Sequence, residues 1–167
     1  MPRAEEASCV FCKIVRGELP ASILAEDEDA LAFLDIRPIN PGHFLVIPKA
    51  HAARLGDLPP GLGGRMFELA RSLVPALYRT GVRCEGVNVH LADGEVAGQE
   101  IFHVHLHVYP RYAGDGVGLR MGPRYGTMPA RDELDPDFVI VARTDVRTAV
   151  GGSFDAAIRR ANAYLGA

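Results

Sequence analysis

The sequence predicts an α+β domain: an antiparallel sheet with helices packed on it. Three observations predict this class. Short apolar or alternating runs, bounded by proline, glycine or acidic turns, recur between residues 22 and 48 and between 86 and 109. One long run instead carries Leu62, Met66, Leu69, Leu73 and Leu77, which is helical spacing. The helical runs are segregated from the strands rather than alternating with each of them.

The elements follow in chain order. Cys9 to Gly17 reads as a short helix that stops at the glycine. Ser22 to Asp35 reads as two strands around an acidic turn, Glu26 to Asp29. Pro38, Pro41 and Gly42 form a loop, and His43 to Pro48 (HFLVIP) is an apolar strand ended by proline. Pro59, Pro60 and Gly61 form the next loop. Leu62 to Thr80 is the long helix, closed by Gly81, with a kink expected at Pro75. Gly86 to Leu91 is a strand and Asp93-Gly94 a turn. Ile101 to Tyr109 reads as a strand whose Phe102, Val104, Leu106 and Val108 are all apolar. Gly114 to Pro129 is rich in Gly and Pro and reads as irregular, Val139 to Ala142 as a strand, and Phe154 to Leu165 as a helix.

The 167 residues suit one domain with a sizeable core and a small appendage. A net charge of -3 leaves no basic footprint for nucleic acid, so a small anionic ligand would need local donors. No apolar leader and no membrane-length apolar run stand out, which gives the expectation of a cytoplasmic protein without a membrane partner. Cys9 and Cys12 form a close CxxC pair, with Cys84 left over. In a cytoplasmic chain that pattern favours metal or redox chemistry over a disulfide framework.

The stretch HVHLHVYPR sets His103, His105 and His107 at every second position. On a strand alternate side chains share a face, about 6.6–7 Å apart. Val104, Leu106 and Val108 then bury one side and the imidazoles crowd the other. Two chemistries suit such a row. One is a three-histidine zinc site, although His103 and His107 would sit about 13 Å apart on an extended strand, so that closing on one ion needs a sharp bend. The other is nucleophilic: a neutral imidazole attacks while its neighbours orient and protonate. The CxxC pair needs two further ligands to complete a structural zinc site, and His51 and His103 are candidates.

These motifs resemble those of the histidine triad (HIT) nucleotide hydrolases and transferases. HVHLHV followed by an aromatic is similar to the family's signature. Cys9-x-x-Cys12-Lys13-Ile14, the segment 32–36 (AFLDI), the segment 41–51 (PGHFLVIPKAH) and Ala97-Gly98-Gln99 fall in family order. The resemblance covers roughly residues 9 to 130, which sets residues 1–130 as a HIT domain and 131–167 as a C-terminal strand–helix extension. It implies a HIT-like fold that dimerises by continuing the sheet across the interface. It implies cleavage at the α-phosphorus of a purine nucleoside phosphoramidate or dinucleoside polyphosphate.

By position in that resemblance, His105 is the nucleophile that forms a nucleotidyl-histidine, His107 contacts the phosphate and His43 supports the cluster. Asp35 holds the ribose, and Phe11, Ile14, Phe33 and Ile36 enclose the base. Gly98 and Gln99 offer backbone donors to phosphate, beside Glu100. Cys9, Cys12, His51 and His103 match the structural zinc ligands of bacterial relatives, and no catalytic metal is expected.

Two departures stand out. Ala92 replaces an amide often found seven residues before the glutamine, and Glu100 replaces the usual Ser or Thr after it. They motivate an alternative reading as a nucleotide-binding protein with vestigial turnover. Arg111, Arg120 and Arg124 are candidates to clamp phosphates in compensation. His90 matches no motif and reads as structural. Residues 135–165 resemble one strand–loop–helix unit of the isocitrate lyase and phosphoenolpyruvate mutase superfamily. One such unit cannot build a barrel active site, so no lyase function follows.

Overall fold

The computed structural model describes residues 4–118 and 121–122. The expected C-terminal strand and helix, Arg120 and Arg124 lie outside the described residues. Helices α1 (Ala4–Ser8) and α2 (Val10–Val15) lead into strands β1 (Ile23–Glu26), β2 (Ala30–Leu34) and β3 (Phe44–Pro48). Helix α3 (Leu62–Arg79) follows, then β4 (Gly86–His90) and β5 (Leu106–Arg111). The strands form one sheet in the order β1-β2-β3-β5-β4, antiparallel at every pairing. This is the α+β architecture that the sequence predicts. Among the described residues, no helix is long and apolar enough to cross a membrane.

Period-two alternation divides the side chains between the two faces of the sheet. Ala30, Ala32, Phe44, Val46, Leu106 and Val108 face α3 and pack with its Met66, Ala70 and Leu77. Phe44 is fully buried there, an apolar contribution of roughly 1.5–3 kcal/mol. On the other face Leu31, Phe33, Leu45 and Ile47 pack against Phe11 of α2. That second face is covered by only a short helix, so its β5–β4 side is left for polar groups.

Local chemistry sets the ends of the elements. Helix α2 closes where Gly17 takes φ +73° and donates its N–H to the Ile14 carbonyl oxygen. Gly42 has φ +93°, and a Cβ there would meet Val82 at 3.1 Å and Leu77 at 3.3 Å. Only glycine meets both demands, and the turn it makes delivers His43 onto β3. Pro75 sits inside α3, which continues unbroken to Arg79.

The expected strand 101–109 differs. It begins at Leu106, and residues 101–103 bend. The His103 N–H turns back to the Ile101 carbonyl oxygen, and the Val104 N–H donates to Ala52 rather than to a neighbouring strand. The bend supplies what an extended strand lacked: His103 leaves the row formed by His105 and His107.

Candidate active site and metal centre

The bend carries His103 into a cluster with Cys9, Cys12 and His51, whose ligand atoms all lie within 4.8 Å of one another. The His103 Nδ1 is 3.5 Å from each sulfur and 3.3 Å from the His51 Nδ1, which is itself 3.2 Å from the Cys12 Sγ. A tetrahedral ion about 2.3 Å from sulfur and about 2.0 Å from nitrogen spaces its ligands roughly 3.3–3.7 Å apart, which these separations fit. The His103 Nε2–H donates to the Pro48 carbonyl oxygen at 2.9 Å. That bond fixes the tautomer and turns the Nδ1 lone pair into the cluster, as a metal-binding imidazole requires. Burial and the neighbouring Cys9 push the Cys12 thiol up to about 12, so two thiolates side by side here call for a cation. Burial likewise lowers His103 to about 4, which keeps it neutral and able to ligate.

Two residues further on, His105 lies on the sheet face that carries Phe11, with the two rings edge to face at 5.4 Å. Its Nδ1–H donates to the His103 carbonyl oxygen at 2.7 Å. The tautomer is thereby set, and the Nε2 lone pair is left for a ligand. His103 thus serves both centres, by its ring in one and by its carbonyl in the other.

A second chain of hydrogen bonds sets His107. The Ile39 N–H donates to the His43 Nδ1 at 3.1 Å, so the proton of His43 is on Nε2. The His43 Nε2–H then donates to the His107 Nδ1 at 3.0 Å, and the remaining His107 proton sits on Nε2. Asp35 lies 3.6 Å from the His43 Nδ1, close enough to pair with an imidazolium. Neutral His43 is the better reading, because the Ile39 N–H already occupies that nitrogen and burial lowers the affinity of His43 for a proton. The two rings that face the site therefore differ in kind. His105 offers a lone pair and His107 a proton, with ring centroids 4.8 Å apart.

Burial lowers His107 to about 4, with the neighbouring His105, His43 and His90 adding to it. Between pH 4 and 6.5 the unfolded chain, with ordinary imidazoles, binds more protons than the folded one. Stability is therefore expected to rise with pH across that window and to level above it. Urea midpoints from pH 4.5 to 7.5 check this, and His107→Gln should show a shallower rise than the wild type.

The remaining expected residues are distributed as follows. The Asp35 Oδ1 accepts the Arg37 N–H at 2.8 Å, which leaves its other oxygen near His43. Phe11 and Phe33 are buried and in edge contact at 5.6 Å, and Ile14 packs beside them. Ile36 is 93% exposed and so has no part in the core. The Gly98 and Gln99 N–H groups donate within their own turn, to the carbonyl oxygens of Glu95 and Gly94. The Gln99 side chain is also engaged, holding Gly94, Ala53 and Ile101. Glu100 is exposed and pairs with Arg37 at 2.7 Å. Arg111 is occupied by Asp115 through two bonds, and by Asn88 and the Val117 carbonyl oxygen, so it is not a spare phosphate clamp.

Sequence reasoning missed the groups that set the tautomers: the Ile39 N–H and the carbonyls of Pro48 and His103. They are backbone groups, and no side-chain pattern marks them. It also missed Arg37, whose partner lies 63 residues away.

A family model described as the HIT domain matches residues 16–114. An uncharacterized HIT-like protein of Methanocaldococcus jannaschii is 45% identical over 114 residues, 68% of this chain and 87% of that protein. An adenosine 5'-monophosphoramidase of Schizosaccharomyces pombe is 40% identical over 123 residues, 73% of this chain and 88% of the relative. The crystal structure of a zinc-bound histidine triad family protein from Mycobacterium smegmatis matches with a TM-score of 0.64 at 44% identity, covering 71% of this chain and 85% of that one. With a matching family model over more than half its length and relatives of this similarity, the chain belongs to the HIT family.

Proposed function

We propose that this protein is a nucleotide hydrolase that cleaves at the α-phosphorus of a purine nucleoside phosphoramidate or dinucleoside polyphosphate. The observation that carries the reading is the fixed opposition of His105 and His107, one acceptor and one donor side by side. The His105 Nε2 attacks phosphorus, and the bond to the leaving nitrogen or oxygen breaks as that atom takes a proton. Water then attacks the nucleotidyl-histidine, the P–Nε2 bond breaks, and the nucleoside monophosphate leaves. The His107 Nε2–H holds a phosphoryl oxygen throughout, already oriented when charge develops. Asp35 accepts from the ribose hydroxyls, and exposed Ile36 covers the base beside the Phe11–Phe33 pair. Gly98, Gln99 and Glu100 border the phosphate side.

The Cys9, Cys12, His51 and His103 set fits zinc by donor type and spacing. Bound there, zinc would supply a structural cross-link between α2, the segment after β3 and the bend before β5. The relative named as an adenosine 5'-monophosphoramidase supports the activity, and the zinc-bound neighbour supports the metal. β4 lies at an edge of the sheet, which suits a homodimer that continues the sheet there.

The test is release of AMP from adenosine phosphoramidate and from diadenosine tetraphosphate, on protein whose mass by light scattering should be twice 18.0 kDa. Turnover of either compound is the expected result. Tight nucleotide binding with no product would instead favour the vestigial reading, to which buried, donorless Ala92 points.

A further inference from the structure

His90 belongs to no motif, yet strand pairing sets it directly opposite His107. The two rings stack, with centroids 5.2 Å apart and planes 18° from parallel. His90 is exposed, whereas the other histidines of this face are buried or half-buried. His107 in turn abuts His105. His90 and His105 therefore flank the His107 ring from two sides, much as diagonal neighbours across an antiparallel pair lie about 7–8 Å apart.

That spacing matters for an in-line displacement. The attacking nitrogen and the departing atom lie on opposite sides of phosphorus, with the nucleophile about 3–3.5 Å away before attack. A group one diagonal from the nucleophile can reach the departing atom. Among the described residues, Ala92 and Arg111 do not compete for that task. Ala92 is buried and has no donor, and Arg111 is held by Asp115 and Asn88.

We propose that His90 is a further catalytic residue, one that contacts the leaving group and protonates it. The inference rests on the nucleotidyl-histidine reading. The matching substrates are nucleoside 5'-phosphoryl compounds whose leaving group is an unactivated amine, alcohol or phosphate. As the His105 Nε2 bonds to phosphorus, the electron pair of the breaking bond stays on the departing atom and His90 passes its proton there. In the second half water bonds to phosphorus, its proton goes to His90, and the P–Nε2 pair returns to His105. Protons balance over the cycle.

The experiment compares two adenosine 5'-phosphoryl substrates, an alkylamine phosphoramidate and a nitrophenyl ester whose leaving group needs no proton. On wild type, His90→Ala and His90→Gln, kcat/KM is measured for each, with thermal unfolding to confirm the fold. Both variants are expected to lose ~10²-fold or more on the phosphoramidate and only a few-fold on the ester. Equal losses on the two substrates, or no loss, would overturn the role of His90 while leaving His105 in place. If wild type and His105→Asn are equally inactive on the ester, the nucleotidyl-histidine reading fails, and the His90 role with it.

Discussion

His105→Asn is expected to lower AMP release by ~10⁴-fold or more while leaving the fold intact, because a nucleophile cannot be replaced by its neighbours. Asparagine is close in size and its amide can still donate to the His103 carbonyl oxygen, the bond that now orients the ring. What is lost is the Nε2 lone pair. Single-turnover assays would separate this from a binding defect, since nucleotide affinity should change by little. A variant that retained a tenth of wild-type turnover would rule out a covalent intermediate on this residue. Trapping the intermediate in wild type by rapid acid quench, and its absence from the variant, would give the same answer chemically.

Removal of metal is expected to act on stability before it acts on chemistry. The four-donor cluster joins α2, the segment after β3 and the bend before β5, so its binding free energy is largely folding free energy. Chelation, or Cys12→Ser, should lower the unfolding midpoint by roughly 10 °C or more, since each kcal/mol lost from a chain of this length shifts it by about 2–4 °C. Turnover at low temperature should fall only as far as the folded fraction falls. Immediate loss of activity with an unchanged midpoint would point instead to a metal acting at phosphorus. Zinc content by atomic emission, beside the melting curve, connects the two readings.

Much of the fold was legible because local patterns and tertiary demands agree. The run HFLVIP became β3, fully buried, and the spacing of Leu62, Met66 and Leu77 became the buried face of α3. The short helix after Cys9 ended at Gly17 for the expected reason. The start of the histidine strand was not legible. Alternation through His103 has the period of a strand, yet the Val104 N–H is taken by Ala52, a partner 52 residues away. The alternating histidines and the CxxC pair could be read from type and spacing, and the other candidate residues only through the resemblance to the HIT family. The protons on their rings could not, because backbone groups from other segments decide them.

His90 shows the same limit from the other side. Nothing in NVHLAD marks it, and only the register of β4 on β5 brings it beside His107. Ile36 is a further case. Its neighbours Phe33 and Leu34 lie in β2, but the strand ends before it and leaves it in solvent.

The division of β5 into an apolar side and an imidazole side bears on how this segment can change over evolution. Inserting or deleting one residue between the bend and His107 would exchange the two sides. Imidazoles would then enter the packing beneath α3, and Leu106 and Val108 would take the place of the histidines at the candidate site. Point substitutions on its apolar side are graded in effect, whereas length changes are close to all-or-none. Lineages descended from this chain should therefore vary Val104, Leu106 and Val108 among apolar residues while keeping the three histidines and the length of the segment.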